Sequence, residues 1–111
     1  ASSAILLGAK PIFAHVHPDS GVITADTILP LITNNTKAIS VLHLGGWPAQ
    51  MDSICKLAHN YGLKVIEDCA QAHGASLNGK SVGSFGDVSA WSFCQEKILS
   101  TGGEGGMITT S

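Results

Sequence analysis

Met51-Asp-Ser-Ile-Cys-Lys-Leu-Ala-His-Asn-Tyr-Gly-Leu-Lys-Val-Ile-Glu-Asp-Cys69 decides the fold of this 111-residue chain. Met51, Ile54, Cys55, Leu57, Ala58 and Tyr61 recur at three- and four-residue steps, which makes one buried stripe on a helix over 51–61. Gly62 supplies a left-handed stop, and residues 64–69 follow at once as a strand. A helix feeding directly into a short apolar strand is part of a βαβ unit. The spacing therefore predicts an α/β chain with a mostly parallel sheet and flanking helices.

Working outward, residues 38–44 are the strand that precedes this helix. Gly45 and Gly46 end it, and Pro48 suits the first turn of the helix to come. Further upstream, 11–16 is a short apolar run read as a strand, closed by the turn mixture 17–21. Thr24 and Asp26 then open a helix to about Ile32, which must hold Pro30 in its first turn or kink there. Downstream, 70–86 is rich in small residues and glycine. Another strand covers 87–94, and a last one begins at Met107 after Gly102, Gly103, Gly105 and Gly106. Residues 1–7 are apolar and helix-like. A start without methionine and a stop inside a strand lead us to expect that 1–111 is part of one domain of a longer protein.

Charged residues make up only 13% of the chain, against about 25% in an ordinary soluble domain, and 44% of it is hydrophobic, which excludes disorder. The six cations are all lysine, scattered among eight acids, for a formal charge of −2. Phosphate tracking needs clustered cations, so nucleic acid is not an expected partner. The apolar runs break well before the ~18 residues of a membrane span, and no leader pattern is readable. Cys55, Cys69 and Cys94 form an odd set without CxxC spacing, which favours a reducing cytoplasm over a disulfide framework. Asn34-Asn35-Thr36 fits a glycosylation sequon but reads as a polar turn.

Gly74-Ala-Ser-Leu-Asn-Gly-Lys-Ser81 fits the phosphate-cradling GxxxxGK[ST] pattern by letter. That loop must leave a strand and open a helix. Here the strand ends near Cys69, and Val82-Gly-Ser-Phe-Gly86 cannot start a helix, so a glycine-rich connection is the better reading. His15 and His17 form an HxH pair without nearby carboxylates or thiols, which reads as one buried and one turn histidine, and no metal site is expected. His43 looks equally ordinary, and His59 falls on the polar side of its helix.

Asp68 ends a parallel-type strand, the edge where open α/β sheets bind ligands. Glu67 precedes it, and alternation lets only one of the two acids face the crevice. Gln71 lies three residues on, and Ser92 and Lys97 come at the end of the next strand. If the two strands are neighbours, these groups meet at one crevice.

Val65-Ile-Glu-Asp-Cys-Ala-Gln-Ala-His-Gly74, Val82-Gly-Ser-Phe-Gly-Asp87, Trp91-Ser-Phe93, Lys97 and Gly102-Gly-Glu-Gly-Gly-Met107 together resemble the DegT/DnrJ/EryC1/StrS family of pyridoxal-phosphate-dependent sugar aminotransferases. The resemblance runs the whole chain and includes Ala38-Ile39, His43-Leu-Gly45 and Pro48-Ala-Gln-Met-Asp52. It implies part of the large domain of fold type I, with pyridoxal 5'-phosphate as cofactor. Lys97 matches the lysine that holds the cofactor covalently and acts in catalysis. Asp68 matches the acid paired with the pyridine nitrogen, Gln71 the amide near the ring hydroxyl and Ser92 the hydroxyl on the phosphate. Ala70 matches the residue packed under the ring. A carboxylate beside the ring nitrogen keeps it protonated, and a buried lysine amine is more easily unprotonated.

The resemblance further implies amino transfer, with glutamate as donor, to a keto group of a nucleotide-linked sugar for polysaccharide or glycoside synthesis, by a homodimer in the cytoplasm. A sugar dehydratase on the same scaffold is the alternative, although dehydratases of the family typically carry histidine where Lys97 stands. A non-catalytic relative or an inactive fragment is the other. His15 stands where the family often has an acid, and Cys94-Gln95-Glu96 departs from the usual approach to the lysine. The family's phosphate-binding turn and ring-stacking aromatic would lie upstream of residue 1, and its small domain and donor-carboxylate groups beyond residue 111.

Overall fold

The computed structural model describes residues 1–110. Its helices are α1 (Ser2–Leu6), α2 (Ala25–Ile28) and α3 (Met51–Asn60). Its strands are β1 (Ala38–Leu42), β2 (Lys64–Asp68), β3 (Ser76–Leu77), β4 (Lys80–Ser81), β5 (Val88–Ser92) and β6 (Gly106–Thr110). The main sheet has the order β1-β2-β5-β6, parallel through β5, with β6 antiparallel at the edge. This is the mostly parallel α/β architecture expected from the sequence.

The helix over 51–61 and the strand after it form as their spacing dictates. Met51, Ile54 and Ala58 are buried, and Gly62 takes φ +64°. Complete burial of Met51 and Ile54 stabilises the fold by roughly 1.5–3 kcal/mol each. Tyr61, expected on the same stripe, is exposed, because the helix has ended and the chain turns there toward β2. The core under the sheet joins α3 to Ile39, Val41 and Val65, with Val22 and Ile28 from the α2 region. Thr24 caps α2 in a reciprocal pair with Thr27, and Pro30 is absorbed in a 3-10 turn, Leu29–Leu31.

Three expectations are corrected. Residues 11–16 form no strand: Pro11 offers no N–H, no strand pairs with the segment among the described residues, and Ile12, Phe13 and Val16 are exposed. His15 and His17 are both exposed, so neither is a buried histidine, and His17 Nδ1 accepts the Asp19 N–H. Residues 74–81, the stretch with P-loop letters, hold the hairpin β3–β4, turned at Asn78 (φ +53°) and Gly79 (φ +78°). An Asn-Gly pair is the residue pair that such a two-residue hairpin turn favours.

Only one face of the main sheet is covered. On it β1 buries Ile39 and Val41, β2 buries Val65 and Glu67, and β5 buries Ser89. The other face leaves Leu42, Ile66 and Ile108 exposed, and Asp68 and Ser92 project from that side by alternation.

Candidate active site

The register sets the first two candidates. Asp68 pairs with Ala90 across β2 and β5, so Ser92, two residues further along β5, shares the Asp68 face. Their Cα atoms are separated by about 8 Å, two residues of rise and one strand spacing. Asp68 Oδ1 accepts the Ala70 N–H at 3.1 Å, an Asx-type bond that turns the chain as it leaves β2. Gln71 Oε1 accepts the Gly45 N–H at 2.8 Å. Asp68 and Ser92 thus share one end of one face, and the turn 69–72, closed by Ala72 N–H to Cys69 O, carries Ala70 and Gln71 away from the end of β2.

Lys97 lies in the excursion between β5 and β6. The Lys97 N–H bonds to Cys94 O at 3.0 Å, and the excursion is closed at its neck by Phe93 N–H to Gly105 O and Thr101 N–H to Phe93 O. Gly105 and Gly106 are required there, since a Cβ would lie 2.5 Å from Thr101 Oγ1 and 2.9 Å from Trp91 O. The excursion therefore leaves from the Ser92 end of β5, and Lys97 is half-buried within it. No hydrogen bond or ion pair joins Lys97 Nζ to the other four among the described residues.

What these groups share is unused capacity. Among the described residues Asp68 Oδ2, the Gln71 NH₂ and Lys97 Nζ have no protein partner, and the Ser92 hydroxyl, which accepts the Cys94 N–H at 3.5 Å, keeps its proton to donate. An acceptor, two polar donors and an amine at one strand edge suit a small, flat, multiply charged ligand.

The covered face beneath is the opposite. Glu67 is fully buried, and its Oε1 accepts Phe85 N–H (2.8 Å) and Gly86 N–H (2.6 Å). Its Oε2 accepts Gly83 N–H (2.8 Å) and His43 Nε2 (3.0 Å). Burial alone would raise this carboxyl, but the bonds from His43, Gly86, Gly83 and Phe85 outweigh it and hold the acid below its ordinary range. The 83–86 turn is shaped to reach it. A Cβ on Gly83 would collide with Trp91 at 2.4 Å, and one on Gly86 would meet Val65 O at 2.8 Å. His43, read as ordinary from sequence, is wholly buried as the partner of this acid. The sequence signal was Glu67 itself, a charge in register with Val65 and Cys69 on a buried face, which demands donors.

His43, Glu67 and Cys69 offer ligand atoms within 4.8 Å of one another. The imidazole nitrogens and carboxylate oxygens are already engaged, however. Burial, helped by the charges of Glu67 and Asp68, pushes the Cys69 thiol up to about 12, so thiolate is scarce. The cluster is a hydrogen-bonded knot in its present form.

Residues 1–111 match the DegT/DnrJ/EryC1/StrS aminotransferase family. The chain is 47% identical over its whole length to a UDP-N-acetyl-3-dehydro-alpha-D-glucosamine 3-aminotransferase of Acidithiobacillus ferrooxidans, of which it covers 30%. It superposes with a TM-score of 0.96 on an aminotransferase from Psychrobacter cryohalolentis, at 55% identity, over 98% of this chain and 28% of that one. NtdA of Bacillus subtilis with bound cofactor PMP gives a TM-score of 0.89 at 34% identity, over 98% of this chain and 24% of that one. The chain spans about 30% of the length of the curated relatives it matches. With the whole chain matched and its fold shared, this protein belongs to the DegT/DnrJ/EryC1/StrS aminotransferase family.

Proposed function

We propose that the protein of which these residues form part of the large domain is a pyridoxal-phosphate-dependent aminotransferase. It passes an amino group, from glutamate, to a keto group of a nucleotide-linked sugar for polysaccharide or glycoside synthesis. The observation that carries this is the set of free valences on Asp68, Gln71, Ser92 and Lys97, in a chain whose relative is named for a UDP-linked keto sugar. Those valences fit the cofactor group by group. Asp68 Oδ2 suits a ring N–H, the Gln71 NH₂ a ring oxygen, the Ser92 hydroxyl a phosphate oxygen, Lys97 Nζ the covalent attachment, and Ala70 the underside of the ring.

When bound, pyridoxal phosphate supplies the electron sink on which amino transfer depends. With the cofactor bound, Asp68 would hold the ring nitrogen protonated, and such an ion pair is worth about 4 kcal/mol near a protein surface and about 1 in water, so the half-buried setting of Asp68 matters. With the cofactor bound, Lys97 Nζ would serve as the general acid-base that accepts and returns the proton, a role worth about 10² to 10⁴ in rate. Ser92 and Gln71 orient.

We assign the protein to the cytoplasm as a homodimer with sites shared between subunits. Three free cysteines suit a reducing compartment, and the exposed apolar Ile5, Leu6, Leu7, Ile12, Phe13 and Val16 suit a subunit contact. No helix among the described residues is long and apolar enough to cross a membrane.

The test is incubation of the full-length protein with pyridoxal phosphate, glutamate and a panel of UDP- and dTDP-linked keto sugars. An amino sugar found by mass spectrometry is the expected product. No amino sugar from any member of the panel would overturn the assignment.

A further inference from the structure

The knot on the covered face is tied to the turn that carries Gln71 through backbone amides of residues 43–49. His43 Nδ1 accepts the Ala49 N–H at 3.1 Å, so the ring proton sits on Nε2 and is donated to Glu67. The His43 N–H itself bonds to Asp68 O at 3.2 Å. Residues 43–49 are therefore fastened at both ends, to β2 at one and to the imidazole at the other. Between the two ends the chain makes the 3-10 turn Leu44–Gly46, with Gly45 at φ +60° and Gly46 at φ +84°.

That turn presents the Gly45 N–H to Gln71 Oε1 at 2.8 Å. A backbone N–H can meet only the carbonyl end of a side-chain amide, so the bond decides which way round Gln71 stands. Its oxygen faces Gly45, which leaves the NH₂ as the group on offer to a ligand. Gln71 is exposed, and an exposed glutamine otherwise samples many rotamers. The backbones are also in close contact here, because a Cβ on Gly46 would stand 3.2 Å from Gln71 O.

We propose that His43, braced by Glu67, is a positioning residue: it sets residues 43–49 so that the Gly45 N–H turns the Gln71 amide into a fixed donor toward the bound cofactor. The proposal rests on the role given to Gln71 above and adds the device that enforces it. Neither His43 nor Glu67 reaches the ligand, since both lie wholly buried on the other face of the sheet.

The test uses the full-length protein freed of cofactor, with His43→Leu, which removes both ring bonds, and His43→Gln, which keeps a donor and an acceptor. Hydrogen exchange at Gly45 and the Kd for pyridoxal phosphate are measured in each, with and without Gln71→Ala. His43→Leu is expected to speed Gly45 exchange at least about tenfold. It should weaken cofactor binding about 3- to 10-fold, the worth of the one oriented hydrogen bond, with His43→Gln in between. In the Gln71→Ala background the same change should add less than about twofold, because its route of action is already gone.

Unchanged Gly45 exchange, or losses of affinity that multiply in the double variant, would overturn the proposal. If His43→Leu fails to fold, the His43→Gln and Gln71→Ala pair makes the same decision. A wild-type protein that takes up no pyridoxal phosphate would sink the functional assignment instead, and the hold of His43 on Gly45 would then stand or fall on the exchange measurement alone.

Discussion

Glu67 and Asp68 are adjacent in sequence and opposite in every physical respect. Glu67 points into the covered face, is fully buried and accepts four hydrogen bonds. Asp68 points to the open face, is half-buried and accepts one, from Ala70. Strand alternation turns one step along the chain into a change of side, and the side decides the work. A saturated carboxylate has nothing left to offer a ligand, whereas an unsaturated one at a strand tip does.

The comparison predicts that changes on the open face damage chemistry without damaging the fold, and that changes on the covered face do the reverse first. The largest effect falls on the open face. Lys97→Ala in the full-length protein should cost at least about 10² to 10⁴ in turnover, while the Tm of the cofactor-free protein stays at the wild-type value because Nζ bonds to no other part of the chain among the described residues. A fall in Tm comparable to that of a core variant would break the contrast.

On the covered face, Glu67→Gln turns an NH₂ toward buried backbone donors and should cost about 1–3 kcal/mol in denaturant unfolding. Asp68→Asn should leave unfolding close to wild type while weakening cofactor binding. Ile54→Ala, a plain cavity under the sheet, should cost about 2–5 kcal/mol and leave the labelling of Lys97 intact.

Acid sharpens the same contrast by a smaller amount. Glu67 is held below its ordinary 4.5, and Asp87 below 3.8, chiefly by Lys64 and then by the Val65 N–H. A depressed carboxyl contributes stability above its unfolded value and loses it as pH falls through the folded one. Unfolding titrations should therefore show stability level near neutrality and falling below about pH 4.5. Glu67→Gln should flatten part of that limb. Lys64→Ala, which removes only an exposed partner of Asp87, should move the lower part of the limb and barely change Tm at pH 7. A limb unchanged in Glu67→Gln would show that the buried acid does not govern it.

Much of this was legible in the residues. The stripe on 51–58 and the apolar run after Gly62 fixed α3 and β2, because each carries its period within itself. Asp68 and Ser92 were legible as strand tips, and Lys97 mainly through the family pattern around it. The glycine-rich connection over 74–81 was legible, and the hairpin within it is encoded by Asn78-Gly79. Residues 11–16 have a strand's composition but no partner among the described residues, and composition cannot supply one. The His43–Glu67 bond spans 24 positions and exists only because β1 and β2 align in register, with Leu42 opposite Asp68. A contact of that kind follows from topology, which a single sequence displays poorly.

The central claim is that the open strand edge carries the cofactor on Lys97. Borohydride reduction of the full-length protein with pyridoxal phosphate, followed by peptide mapping, tests it directly. The account predicts one pyridoxyl group per chain, on Lys97. Label on any other lysine, or none at all, would contradict it.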